Sequence, residues 1–245
     1  MSTRKMLGGL MLFVLMTCFG LAAYAGAAVD AGGVSQLTLG AVFAKGGRIM
    51  YVLAAMSVAG MALVIYYFFV LRAEQAAPRG FVREVTGKLA AGSWTDVREA
   101  CTEQPCALAE VVLAGLDYVE NVPQQETMML KEVIESEGAR QGVEIQTQPQ
   151  FLLDLAILSP MVGLLGSVFG MFGAFNAVAL DVAKAKPIEL AGGVAEALIA
   201  TAGGLIIGIP AMAFYGYFRN RASRVVSKLE GAAGEVLTAF LKGRK

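Results

Sequence analysis

The sequence predicts an all-α membrane protein, with three transmembrane helices, long cytoplasmic helical extensions, the N-terminus outside and the C-terminus cytoplasmic. Three observations carry that prediction. Of the 245 residues, 56% are hydrophobic and only 16% charged, against about 45–50% and about 25% in soluble domains. Three long stretches carry one charge between them. Basic residues also gather at one end of those stretches more than at the other, and their excess marks the cytoplasmic side.

The N-terminus reads as a secretory signal. Arg4 and Lys5 form a positive region, Leu10–Phe19 an apolar one, and Ala23-Tyr24-Ala25 a cleavage pattern. Residues 1–25 are therefore expected to be a signal peptide. The competing reading is a retained anchor helix over Met6–Val29, and both put Asp30 outside the cytoplasm. Thr17 spoils a lipobox before Cys18, so no lipidation is expected. Residues 26–48 follow as a periplasmic segment.

The first span is residues 49–71, uncharged throughout. At 1.5 Å per residue it covers roughly 34 Å, enough to cross a hydrocarbon core of about 30 Å. The second is 155–180, also uncharged; the third is 190–218, whose one charge is Glu196. Between them, 181–189 holds two lysines, a proline and acids, which predicts a periplasmic turn and a transmembrane hairpin. Arg72, Arg79, Arg83, Lys88, Arg140, Arg219, Arg221, Arg224 and Lys228 flank one side of the spans. Only Lys45, Arg48, Lys184 and Lys186 flank the other, which makes 72–154 and 219–245 cytoplasmic.

Residues 72–154 form a helical domain in this reading, and 219–245 a C-terminal helix. Ser93-Trp94-Thr95-Asp96 has the composition of a helix start. Pro105 interrupts, and the next helix lines up Leu108, Val111, Val112, Leu116 and Val119. A further helix begins near Pro123 and carries Met129, Leu130, Val133, Ile134 and Val143, with Pro149 as a break. Cys101 and Cys106 are five apart, the wrong spacing for a zinc knuckle, and read as small hydrophobes in a reducing compartment.

Several chemistries are not expected. Histidine is absent, which removes His triads and His-ligated zinc. Twenty basic residues balance twenty acidic ones, so no nucleic-acid partner is expected. No phosphate loop, dinucleotide fingerprint or nucleophile elbow occurs, so neither an enzyme nor a bound cofactor or metal is expected.

The hairpin carries the informative residues. Pro160, Gly163, Ser167, Gly170 and Ala174 share one face of the second span, and Gly166 with Gly170 forms GxxxG. In the third, Gly193, Glu196, Ala200 and Gly204 share a face beside a stripe of Ala197, Thr201 and Gly208. Small residues let membrane helices approach closely, which accounts for Gly163, Gly166, Gly170, Gly193, Gly204 and Gly208 as helix-packing positions. Packing does not account for Glu196, about 9 Å along the helix from Leu190. A charge inside a span faces a partner or water. Glu196 is either a structural carboxyl bonded to a neighbouring subunit or part of an ion path. The hydroxyls of Ser167 and Thr201 either line a pore or bond back to the carbonyl four residues earlier. Three spans enclose no water path alone, so a pore lining requires a homo-oligomer.

Residues 159–170 (SPMVGLLGSVFG) and 193–215 (GVAEALIATAGGLIIGIPAMAFY) resemble the signature of the MotA/TolQ/ExbB proton-channel family, with ExbB the most similar branch. Residues 93–116 resemble the family's cytoplasmic region. The resemblance implies a homopentamer in the bacterial inner membrane, in contact with lipid. The pentamer would surround an ExbD/TolR-like single-span protein and pass proton-motive force to a TonB-like protein. It assigns pore-lining positions to Glu196, Thr201 and Ser167, and places the proton-carrying aspartate on the partner. The family usually has threonine where Ser167 stands, so the hydroxyl is kept and a methyl lost. A TolQ-like role in envelope maintenance, a role in gliding, and a non-conducting scaffold are the alternatives.

Overall fold

The structure, a computed structural model, describes residues 47, 49–71, 76–122, 127–180 and 187–243. The signal-peptide and Cys18 readings, Pro123 and residues 181–186 of the expected turn lie outside them. Every regular element among the described residues is helical: α1 (Ile49–Val70), α2 (Arg79–Ala90), α3 (Trp94–Glu103), α4 (Ala107–Asn121), α5 (Thr127–Thr147), α6 (Gln150–Leu180) and α7 (Pro187–Gly243). α1, α6 and α7 contain stretches long and apolar enough to cross a membrane.

Two helices run past the span ends read from the sequence. The third span and the C-terminal helix are one continuous helix of 57 residues, with Pro210 inside it. A proline removes one hydrogen bond from the ladder without necessarily ending the helix. α6 begins five residues before the expected span, at Gln150, because Phe151 to Asp154 carry the helix into the uncharged run. Pro149 falls in the two-residue break between α5 and α6, as its missing N–H dictates.

The described chain divides into two compact units. The first comprises residues 49–63 and 151–214. Its buried hydrophobics are mostly alanines: Ala156, Ala174, Ala197, Ala200 and Ala211, with Leu53 and Leu152. α1 lies against both other spans. A Cβ on Gly60 would be 2.8 Å from Leu155, and one on Gly203 would be 3.4 Å from Leu53.

The second unit, residues 64–150 and 215–245, is built from large side chains. Phe81, Val85 and Leu89 of α2, Val97 and Cys101 of α3, and Leu108, Val111, Val112 and Leu116 of α4 are buried, as are Leu130 and Ile134 of α5 and Val236 and Phe240 of α7. Trp94 stacks on Phe240, with ring centroids 5.8 Å apart. Met129 and Val143 point outward, 51% and 61% exposed, although the sequence groups them with the apolar residues of α5. α2 ends in a Schellman turn: Gly92, at φ +75°, donates to the Leu89 carbonyl and Ser93 to the Lys88 carbonyl. Ser93 occupies the N-cap position of α3, but its side chain makes no capping bond. Cys101 is buried and Cys106 half-buried, both as free thiols. Burial pushes the Cys101 thiol up to about 11, so it stays protonated and unreactive at neutral pH.

Candidate functional site: a hydroxyl pair between two membrane helices

The candidate site lies in the first unit, where α6 and α7 meet backbone to backbone. Lipid gives no hydrophobic drive for helix association, so close approach and interhelical hydrogen bonds must supply it. A Cβ on Gly163 would lie 2.9 Å from the Ala200 carbonyl and 3.2 Å from Gly204 Cα. One on Gly170 would lie 3.1 Å from the Ala197 nitrogen. Cβ atoms on Gly166 and Gly193 would meet the Ala200 and Ala174 methyls. Gly204 faces the Ser159 carbonyl and Gly208 the Ala156 carbonyl. That last carbonyl is the one Pro160, four residues on, cannot bond, and only a glycine leaves it room. The small-residue stripe is therefore filled by the chain's own second and third spans.

Ser167 and Thr201 meet within this contact. Their hydroxyls hydrogen-bond to each other. Ser167 Oγ lies 2.9 Å from the Ala197 carbonyl and Thr201 Oγ1 3.2 Å from it. Each hydroxyl has one proton. One of the two therefore donates to the Ala197 carbonyl and the other to its partner hydroxyl. Both also approach the Gly163 carbonyl at 3.5 Å. Of the two options open from sequence, the bond to the carbonyl four residues back holds well for Thr201 and only at 3.5 Å for Ser167. The cross-helix bonds to Ala197 and between the hydroxyls come in addition.

Glu196 is not part of this pair. It stands five residues earlier on α7, and 100° per residue turns it about 140° from Thr201. The carboxyl is half-buried and reaches Gly47, which precedes α1 with φ +66°. A Cβ on Gly47 would collide with Glu196 Oε1. Glu196 forms no hydrogen bond or ion pair with another described residue. Gly47 and the fully buried Ser159, which donates to the Leu155 carbonyl at 2.6 Å, are site neighbours that sequence reasoning missed. No group of three or more metal-ligating side chains occurs among the described residues.

A sequence model of the "MotA/TolQ/ExbB proton channel family" matches residues 104–231, just over half of the chain. The chain belongs to the MotA/TolQ/ExbB family. The matched stretch contains Ser167, Glu196 and Thr201, all of α4 to α6 and much of α7, and excludes α1. Among curated members of the MotA/TolQ/ExbB family, the chain is 33% identical over 106 residues to the biopolymer transport protein ExbB of Xanthomonas campestris pv. campestris (strain B100), which is 43% of this chain and 42% of that protein. It is 39% identical over 102 residues to the Tol-Pal system protein TolQ of Haemophilus influenzae, 41% of this chain and 42% of TolQ. It is 38% identical over 76 residues to exbB1 of Vibrio cholerae, 31% of this chain and 33% of that protein. The aligned regions thus span less than half of each relative.

Proposed function

We infer that this chain is the proton-channel, or stator, subunit of an inner-membrane complex of the ExbB-ExbD-TonB type, coupling proton-motive force to outer-membrane transport. The observation that carries the reading is the Ser167–Thr201 hydroxyl pair, set between two apolar helices of a proton-channel family member. Hydroxyls donate and accept in one group, so they hand hydrogen bonds to a passing proton without holding a charge in the span. In this reading the chain assembles as a homopentamer around an ExbD/TolR-like single-span partner whose carboxylate takes and releases the proton. Ser167, Thr201 and Glu196 shape its surroundings, and a TonB-like protein receives the work. Residues 72–154 and 219–245 face the cytoplasm, consistent with the nine basic residues on that side. A TolQ-like role is the second reading, favoured by the 39% identity to TolQ of Haemophilus influenzae. Complementation of a strain lacking ExbB against one lacking TolQ separates the two.

The test is proton flux into liposomes holding the chain and an ExbD-like partner. Thr201→Val keeps the shape and removes the hydroxyl. It is expected to lower flux at least about tenfold, the equivalent of about 1.4 kcal/mol on the barrier, while the complex keeps its mass. Ser167→Ala should impair flux and Ser167→Thr should not. Normal flux in both Thr201→Val and Ser167→Ala would leave the pair as a purely structural helix bond.

A further inference from the structure

We propose that the basic groove between α2 and the C-terminal part of α7 receives the acidic face of α5 from a second copy of this chain. The inference rests on the self-assembly contained in the proposed function, and names the surface that guides it. Charge in the second unit is segregated by element. α3, α4 and α5 together hold ten acidic residues and three basic ones, whereas α2 and residues 215–243 of α7 hold eight basic and three acidic. The few bases on the acidic helices are already paired. Arg98 binds Asp117 and Glu120, Arg140 binds Glu137, and Lys131 approaches Glu135. On the other side Lys88 pairs with Glu84. Arg79, Arg83, Lys228 and Lys242 form no ion pair with a described residue.

Those four bases line one groove. Two adjoining cavities of about 440 and 490 Å³ share Arg83 and Glu235, the groove's lone acid, and are floored by Val82, Ala232 and Ala239. The matching face lies on α5. Met128, Glu132, Glu135, Ala139 and Val143 recur at i, i+4, i+7, i+11 and i+15, a single stripe on a helix. Met128 is 78% exposed and Val143 61%, so the stripe faces away from the chain's own core. The acids at the centre of the stripe, Glu132 and Glu135, are opposite in sign to Arg79, Arg83, Lys228 and Lys242 of the groove.

Groove and stripe are different surfaces of one chain. Their pairing is heterologous, head to tail, and closes into a ring when the rotation allows. An anionic lipid headgroup fits the groove poorly. Lys228 stands ten residues beyond Phe218, about 15 Å along α7, whereas the headgroup layer on each side is only about 5–7 Å thick.

The test uses charge reversal in the full-length protein in detergent, with assembled mass as the readout and circular dichroism as the check on folding. Arg83→Glu with Lys228→Glu is expected to reduce the oligomer to monomer, and so is Glu132→Lys with Glu135→Lys. The chain carrying all four substitutions restores opposite charges and should reassemble. Full assembly of both double variants, or failure of the fourfold variant to reassemble, overturns the proposal. Carbodiimide cross-linking of the wild-type chain in membranes needs no variant to fold. A dimer linked from Lys228 or Lys242 to Glu132 or Glu135 is expected; linkage only within the chain, as between Lys88 and Glu84, overturns it. Wild-type rings that fail to conduct with an ExbD-like partner, yet show these linkages, would remove the functional reading and leave the docking surface intact.

Discussion

The two units bury opposite kinds of side chain. In the unit holding the hairpin, the buried hydrophobics are five alanines and two leucines, while Tyr51, Val58, Met61, Phe169, Phe172 and Ile209 lie exposed. In the other unit Phe81, Phe218 and Phe240 are fully buried. The same hydrophobicity is spent differently because the solvent differs. Water drives large apolar groups inward. Lipid does not, so large groups stay outside and small ones permit backbone contact. The polar bonds divide likewise: ion pairs on the outer helices of the second unit, one hydroxyl pair inside the first.

The sharpest way to break this comparison is to truncate a large side chain in the second unit. Phe240 is fully buried, stacks on Trp94 and closes against Gly115, where a Cβ would lie 3.0 Å from its ring. Phe240→Ala is expected to cost about 3–5 kcal/mol. Thermal unfolding in detergent, followed through the Trp94 signal, measures it. A loss below about 1 kcal/mol would mean that this unit is not held by side-chain packing.

The converse test enlarges a small residue in the first unit. Gly204→Leu pushes a side chain into the Ser159 carbonyl and toward Gly163 Cα, 3.1 Å from its ideal Cβ. Backbone cannot rotate aside, so the cost should reach the upper end of the usual overpacking range of about 1–3 kcal/mol. Gly192→Leu is the control, since a Cβ there meets nothing within 4 Å. It should be neutral, or stabilising by up to about 1 kcal/mol from helix propensity. Equal losses for the two would show that the hairpin is sensitive to bulk anywhere rather than at its contact.

Much of this was open to reading from the chain alone. Uncharged runs of span length gave the apolar helices, and Leu108, Val111, Val112, Leu116 and Val119 gave the inner face of α4. The continuity of α7 was not open, because the arginines after Phe218 look like an end when charge alone is read. Helical spacing put Ser167 and Thr201 on small-residue stripes, but it could not say that the stripes face each other within one chain. Nor could it bring Gly47 to Glu196, since that contact joins segments about 150 residues apart. Met129 and Val143 share α5 with the buried Leu130 and Ile134 yet lie exposed, because apolar character on a helix does not say which residues the chain's own fold covers.

The smallest expected effect sharpens the comparison at its polar end. Glu137 of α5 accepts two hydrogen bonds from Arg140, at 2.6 and 2.8 Å, and one from the buried Gln141 at 3.0 Å. The Arg140 guanidinium, helped by Gln141, holds the Glu137 carboxyl below the usual carboxylate range. A carboxyl depressed on folding contributes stability that is fully present above its unfolded pKa and fades as pH falls through the folded value. Wild type should therefore lose ground below about pH 4.5. Glu137→Gln, which has no charge to protonate, should be slightly less stable at pH 7 and should not share that acid-dependent loss. The gap between the two melting curves should then close as the pH drops. The hydroxyl pair of the first unit supplies the contrast, since neither group titrates in that range. The stability difference between Thr201→Val and wild type should stay constant over the same pH interval. A gap that narrows for Thr201→Val, or fails to narrow for Glu137→Gln, would show that the two units do not divide their polar chemistry as their hydrogen bonds indicate.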